Sequence, residues 1–131
     1  PLESNRFFYL PIIDKFHRRS KGSDITKAAL KYQSTSQMAL IIALYMGFKD
    51  IRLVGFDHDW LINKGTSPHF YKEQENETKV DFSKLTYREM IETSLNLFII
   101  YERIRHLAKK SNATITNIST PSYLDVFPTA I

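Results

Sequence analysis

Ser34-Thr35-Ser36-Gln37-Met38-Ala39-Leu40-Ile41-Ile42-Ala43-Leu44-Tyr45-Met46-Gly47-Phe48-Lys49-Asp50-Ile51-Arg52-Leu53-Val54-Gly55-Phe56-Asp57-His58-Asp59 carries the plan of this chain. Ser34, Thr35 and Ser36 each offer a side-chain oxygen that accepts an orphan amide at a helix start. Met38 to Phe48 is free of charge, and Ala39, Ala43 and Gly47 permit close packing on a sheet. Gly47 supplies the helix stop. Ile51 to Phe56 is short and apolar except for Arg52, which predicts a buried parallel strand. Asp57, His58 and Asp59 follow at its carboxyl end. Ligands of open α/β sheets bind at that edge.

Working outward, Asn5 to Ile13 is aromatic and β-branched, and Pro11 restricts it to an edge strand or an extended segment. Asp14 to Asp24 reads as a polar, basic loop with a turn at Gly22-Ser23-Asp24. Ile25 to Tyr32 reads as a short helix or an irregular approach. Beyond Asp59, residues 60–82 have no sustained period; Asn63-Lys64-Gly65 signals a turn and Ser67-Pro68 disfavours helix. This segment is expected to be a lid insert beside the ligand edge. Ser83 is expected to open the longest helix. Tyr87, Met90, Ile91, Ser94, Leu97, Phe98, Tyr101, Ile104 and Ala108 form its stripe, widened by Leu95, Ile99, Ile100 and Leu107, and Arg103, Arg105, Lys109 and Lys110 lie near the negative end of its dipole. Ala113 to Ile118 alternates with period two and reads as a strand. Thr120-Pro121-Ser122 reads as a short helix start, packed down by Tyr123, Leu124 and Phe127. Helix, strand, long connection, helix, strand implies a parallel, right-handed crossover. The predicted fold is α/β: a Rossmann-like parallel sheet flanked by helices in three layers.

The 131 residues fit one domain. The net charge of +4 is modest, and Lys15, Arg18, Arg19, Lys21, Lys27 and Lys31 concentrate in one early segment. Such a run suits acidic partners or a solvated surface. There is no aromatic-interleaved RNA motif and no zinc-finger spacing, so nucleic acid is not an expected partner. No cysteine is present, which excludes disulfides and thiol chemistry and fits a cytoplasmic setting. Met38 to Phe48 falls far short of the ~20 apolar residues a membrane span needs.

Asp57-His58-Asp59 is the densest chemical candidate. Asp57 and Asp59 after a strand can hold Mg²⁺ or Mn²⁺, which in turn holds a diphosphate; alternatively Asp57 caps loop amides while His58 and Asp59 face water. His69, in Ser67-Pro68-His69-Phe70-Tyr71, titrates near neutrality and suits a general base, or else is an exposed loop side chain. Ser34, Thr35 and Ser36 at a helix amino terminus suit an anion, or simple capping. Trp60 reads as a stacking surface or a core residue. No Walker loop, G-x-S-x-G or Cys–His pair occurs.

The steps Ser34-Thr35-Ser36, Tyr45-Met46-Gly47-Phe48 and Leu53-Val54-Gly55-Phe56-Asp57 resemble bacterial lipooligosaccharide sialyltransferases and the related 6-hydroxymethylpterin diphosphokinase-like (motility accessory factor) proteins. Those families carry Thr-Ser-Gly or Thr-Gly, an apolar helix with Leu-Gly near its end, a strand and Gly-x-Asp. The resemblance implies a glycosyltransferase of surface-glycan assembly, moving a sugar such as a sialic or related nonulosonic acid from a nucleotide donor to a glycan acceptor. It assigns Asp57 to the site and His69, in Gly65-Thr66-Ser67-Pro68-His69, to the base. Ser34, Thr35, Ser36, Asp59 and Tyr71 become substrate contacts. The main reading requires no metal; the diphosphokinase alternative puts Mg²⁺ on Asp57 and Asp59, and a non-catalytic nucleotide-sugar binding fragment is a third. The chain departs from the sialyltransferase pattern in two places. Asp59 stands where a tyrosine is expected, and Ser83-Lys84-Leu85-Thr86 has no histidine where the catalytic one is expected, so Tyr71 and His69 are the substitutes. The families' amino-terminal Gly-rich nucleotide loop has no counterpart here, which makes this the expected carboxyl-terminal part of a larger enzyme. It is expected in the cytoplasm, with peripheral association at the inner membrane face.

Overall fold

The computed structural model describes residues 12–13, 25, 29–60, 62 and 85–129. Its elements run β1 (Ile12–Ile13), β2 (Ala29–Leu30), α1 (Thr35–Tyr45), β3 (Asp50–Leu53), α2 (Tyr87–Lys110) and β4 (Thr114–Asn117). The strands form two parallel pairs. Ile12 lies opposite Ala29 in the first, and Asp50 to Leu53 lie opposite Thr114 to Asn117 in the second. The predicted parallel crossover through α2 is present in the second pair. Ala29–Leu30, predicted as helix or irregular chain, is strand, because β1 supplies its backbone partner. Ile25 and Leu30 join the core.

Local chemistry sets the helix limits. Ser34 is the N-cap of α1: its hydroxyl accepts the Gln37 amide, while the Gln37 side chain returns to the Ser34 amide. At the other end Gly47 adopts φ 89°, so its amide reaches the Leu44 carbonyl and the Phe48 amide reaches that of Ala43. Those are the two bonds of a Schellman stop. The end of α2 repeats this with Asn112 at φ 51°: its amide meets the Lys109 carbonyl and the Ala113 amide meets Ala108. α2 starts later than expected, at Tyr87, because Thr86 and Glu89 form a capping box. That contact holds the exposed Glu89 carboxyl below its usual range, first through the Thr86 amide and then through its hydroxyl.

The two helices contact each other and share one face of the β3–β4 pair. Leu40, Ile41 and Leu44 of α1 meet Leu97, Tyr101, Ile104 and Ala108 of α2, with Leu53 and Ile115 beneath them. Each such aliphatic side chain contributes about 1.5–3 kcal/mol on burial. The opposite strand face is open: Asp50, Arg52 and Thr114 are exposed, and Arg52 pairs with Asp50 at 3.2 Å. β3 is therefore half-buried, not buried on both faces as its apolar run predicts, since no described element covers that side. The three-layer arrangement is two layers among the described residues. β3 also ends at Leu53, three residues before Phe56, as the chain turns through Gly55 at φ 75°.

The segment after β4 departs from expectation as well. Residues 120–128 form turns, not a helix. The Ser122 hydroxyl donates to the Phe56 carbonyl and accepts the Leu124 amide, so this backbone is tied into a turn instead of a helical ladder. A bridge joins Asn117 to Thr129, and Leu124 and Phe127 seal the core, but Tyr123, expected to pack with them, is exposed, because its backbone amide is turned to the Asp57 carbonyl.

Candidate functional site at the strand carboxyl edge

α1, running antiparallel to β3, brings Ser34 to Ser36 back to the edge where β3 delivers Asp57. Ser36 and the two residues flanking Asp57, Phe56 and His58, meet at Tyr101. A polar chain runs from the Gln37 amide to the Ser34 hydroxyl, on to the Ser36 hydroxyl at 2.9 Å, and then to the Tyr101 hydroxyl at 3.0 Å. Tyr101 is 0% exposed, and its ring meets Phe56, His58 and Phe127 edge-on. Burial pushes its phenol up, and the hydrogen bonds from Ser36 and Ser34 oppose that shift. Thr35 stays exposed, the only one of the three outside this chain.

The Asp57 side chain is exposed at the rim. Its backbone is not left to itself, because the segment beyond β4 holds it. The Phe56 amide donates to the Ser119 hydroxyl at 2.8 Å, and the Asp57 carbonyl accepts the Tyr123 amide at 2.8 Å. Fully buried Asn117 supports this network: its Oδ1 accepts the Ser119 amide and its Nδ2 donates to the Ser122 hydroxyl.

His58 does not face water. At φ 54° its ring turns inward between Trp60, at a centroid distance of 4.4 Å, and Tyr101, at 5.3 Å, with Phe56 and Phe98 about 6 Å away. Both ring nitrogens are enclosed and meet no hydrogen-bond partner among the described residues. Burial lowers its pKa from 6.5 to about 4, with the Asp59 carboxylate opposing, so the ring is neutral near pH 7. Asp59 itself is half-buried. Trp60 packs against this cluster and donates from Nε1 to the Ser94 hydroxyl at 3.1 Å, which makes it a structural strut.

Comparison with protein-family models, with curated proteins and with solved structures gives no match. The site therefore has to be judged on its own geometry.

The Ser34 and Ser36 hydroxyls lead to Tyr101, while Asp57 and Asp59 flank His58, whose ring packs on Tyr101. His69 and Tyr71 lie outside the described residues, as does nearly all of the expected lid. Among the described residues no group of three His, Asp or Glu side chains is gathered as a metal would need. His58 turns inward between Trp60 and Tyr101, while Asp57 on its amino side is exposed. Tyr101, Ser119 and Ser122 are the site-shaping residues that sequence reading missed. One signal was available for the first: Ser94 and Tyr101 carry hydroxyls within the apolar stripe of α2, and a buried hydroxyl requires a partner.

Proposed function

We propose that this chain is the carboxyl-terminal part of a Rossmann-like, nucleotide-sugar-dependent glycosyltransferase of surface-glycan assembly, sialyltransferase-like in kind. The observation that supports the reading is the exposed Asp57, whose chain neighbours Phe56 and His58 pack on the Tyr101 ring that Ser36, at the amino terminus of α1, reaches by hydrogen bond. In such an enzyme the acceptor hydroxyl attacks the anomeric carbon of the donor. The bond to the nucleotide phosphate breaks with its electron pair, and the hydroxyl proton passes to a base. The α1 amides ahead of Gln37, which have no acceptor within the helix, are aimed at the departing phosphate. Asp57 orients the donor or acceptor, and His69 is the assigned base. Asp59 and Tyr71 are the further substrate contacts.

Turnover of a panel of CMP-, UDP- and GDP-sugars tests this, with a glycan acceptor and with the full-length parent beside this chain. Transfer that survives chelator and falls at least about 100-fold in Asp57→Asn and His69→Ala, with unchanged melting, is the expected result. Chelator-sensitive diphosphate transfer to a hydroxymethylpterin would instead select the diphosphokinase reading. Binding of a nucleotide sugar without turnover would select a binding module.

A further inference from the structure

We propose that the pole opposite Asp57 is a docking surface for an anionic lipid bilayer. α1 and α2 run side by side and end at this pole. Their two end-turns are joined: the Lys49 ammonium donates to the Ser111 carbonyl, and the Thr114 amide donates to the Lys49 carbonyl at 2.7 Å. The α1 turn presents Tyr45, Met46 and Phe48 to solvent, 42%, 66% and 53% exposed. The α2 turn presents exposed Lys109 and Lys110, which make no ion pair among the described residues. Upstream, a groove of about 330 Å³ is lined by Glu102, Arg103, Arg105, His106 and Lys109. Its basic side chains outnumber its single carboxylate, and Asp50, at the start of β3, is already paired with Arg52.

The helix dipoles explain cations at these ends. They do not explain three apolar side chains projecting beside them. That combination matches a bilayer interface, where apolar tips enter the headgroup boundary and lysines reach the anionic headgroups. A nucleic acid would use the lysines and leave Met46, which has no ring to stack on a base, without a role. Among the described residues no helix is long and apolar enough to cross the membrane, so the proposed association is peripheral. The inference stands apart from the glycosyltransferase reading, because it uses none of the residues at the Asp57 edge.

The test is co-sedimentation of the 131-residue chain with vesicles of 70% phosphatidylcholine and 30% phosphatidylglycerol, against pure phosphatidylcholine. Binding to the anionic vesicles alone, weakened by 0.5 M salt, is expected. Lys109→Glu with Lys110→Glu should lower partitioning at least about tenfold. Met46→Ser with Phe48→Ser should do so at unchanged surface charge, and circular dichroism should show both variants folded. Equal binding to neutral vesicles, no binding to either, or unchanged binding of both variants overturns the proposal. Loss in the lysine variant alone, with equal affinity for duplex DNA, also overturns it, because charge would then be the whole interaction.

Discussion

At the scale of a residue, His58 is the most unusual group described. A non-glycine φ of 54° and a neutral imidazole with both nitrogens unpaired among the described residues each cost free energy. The return is aromatic packing against Trp60 and Tyr101. Folding lowers the His58 pKa from 6.5 to about 4. Between those values the unfolded chain binds a proton that the folded chain refuses, so the contribution of the neutral ring is full above about pH 6.5 and is lost as pH falls toward 4. Wild type should therefore lose stability relative to His58→Phe between pH 7 and pH 5, read from urea midpoints. A difference between the two that does not change with pH would show that the ring is not enclosed as described. His58→Phe keeps the ring stacking and removes only the titration, so other acid-sensitive groups, Glu89 among them, cancel in the comparison.

At the scale of an element, α1 is anchored more by Gln37 than by its N-cap. The Gln37 side chain is 0% exposed and fully used: Oε1 accepts the amides of Gln33 and Ser34, and Nε2 donates to the Leu97 carbonyl of α2 at 2.9 Å. It both starts its own helix and fastens it to the next. Gln37→Ala removes the box and leaves the buried Leu97 carbonyl short of a partner, a loss of about 2–3 kcal/mol. Ser34→Ala, which removes one cap acceptor, should cost about 1 kcal/mol. Chemical denaturation of the two variants checks the order; an equal or reversed effect would place the anchorage elsewhere. The stops at Gly47 and Asn112 are independent of this, because each lies in its own turn and depends on a left-handed residue.

At the scale of the molecule, the position of Asp57 is set by a segment more than sixty residues away in sequence. Ser119, Ser122 and Tyr123 bind the backbone of Phe56 and Asp57, and the Ile118 amide donates to the Leu53 carbonyl. The end of β4 thus aligns the loop after β3, which is where any chemistry at this edge is poised. Replacing Ser119 and Ser122 together by Ala should speed hydrogen exchange of the Phe56 and Tyr123 amides about tenfold or more, and leave the Ile104 amide in the core of α2 unaffected. Uniform acceleration across both helices would mean that the network supports global stability instead of the loop.

Local rules made much of this legible in the amino-acid order. Capping at Ser34, the stop at Gly47, most of the apolar stripe of α2 and the period-two run of β4 each follow from neighbours a few residues apart. Such contacts form wherever the chain takes that conformation. The remainder came from groups that meet only after folding. β2 is strand because β1 lies beside it, and β3 is half-exposed because no described element covers its second face. Residues 120–128 are turns because Ser122 finds Phe56, His58 turns inward because Trp60 and Tyr101 form a box around it, and Tyr101 serves the site because Ser36 reaches its hydroxyl. Each of these joins positions far apart in sequence, and a burial or hydrogen-bond partner has no local signature until the backbone brings it within a few ångströms.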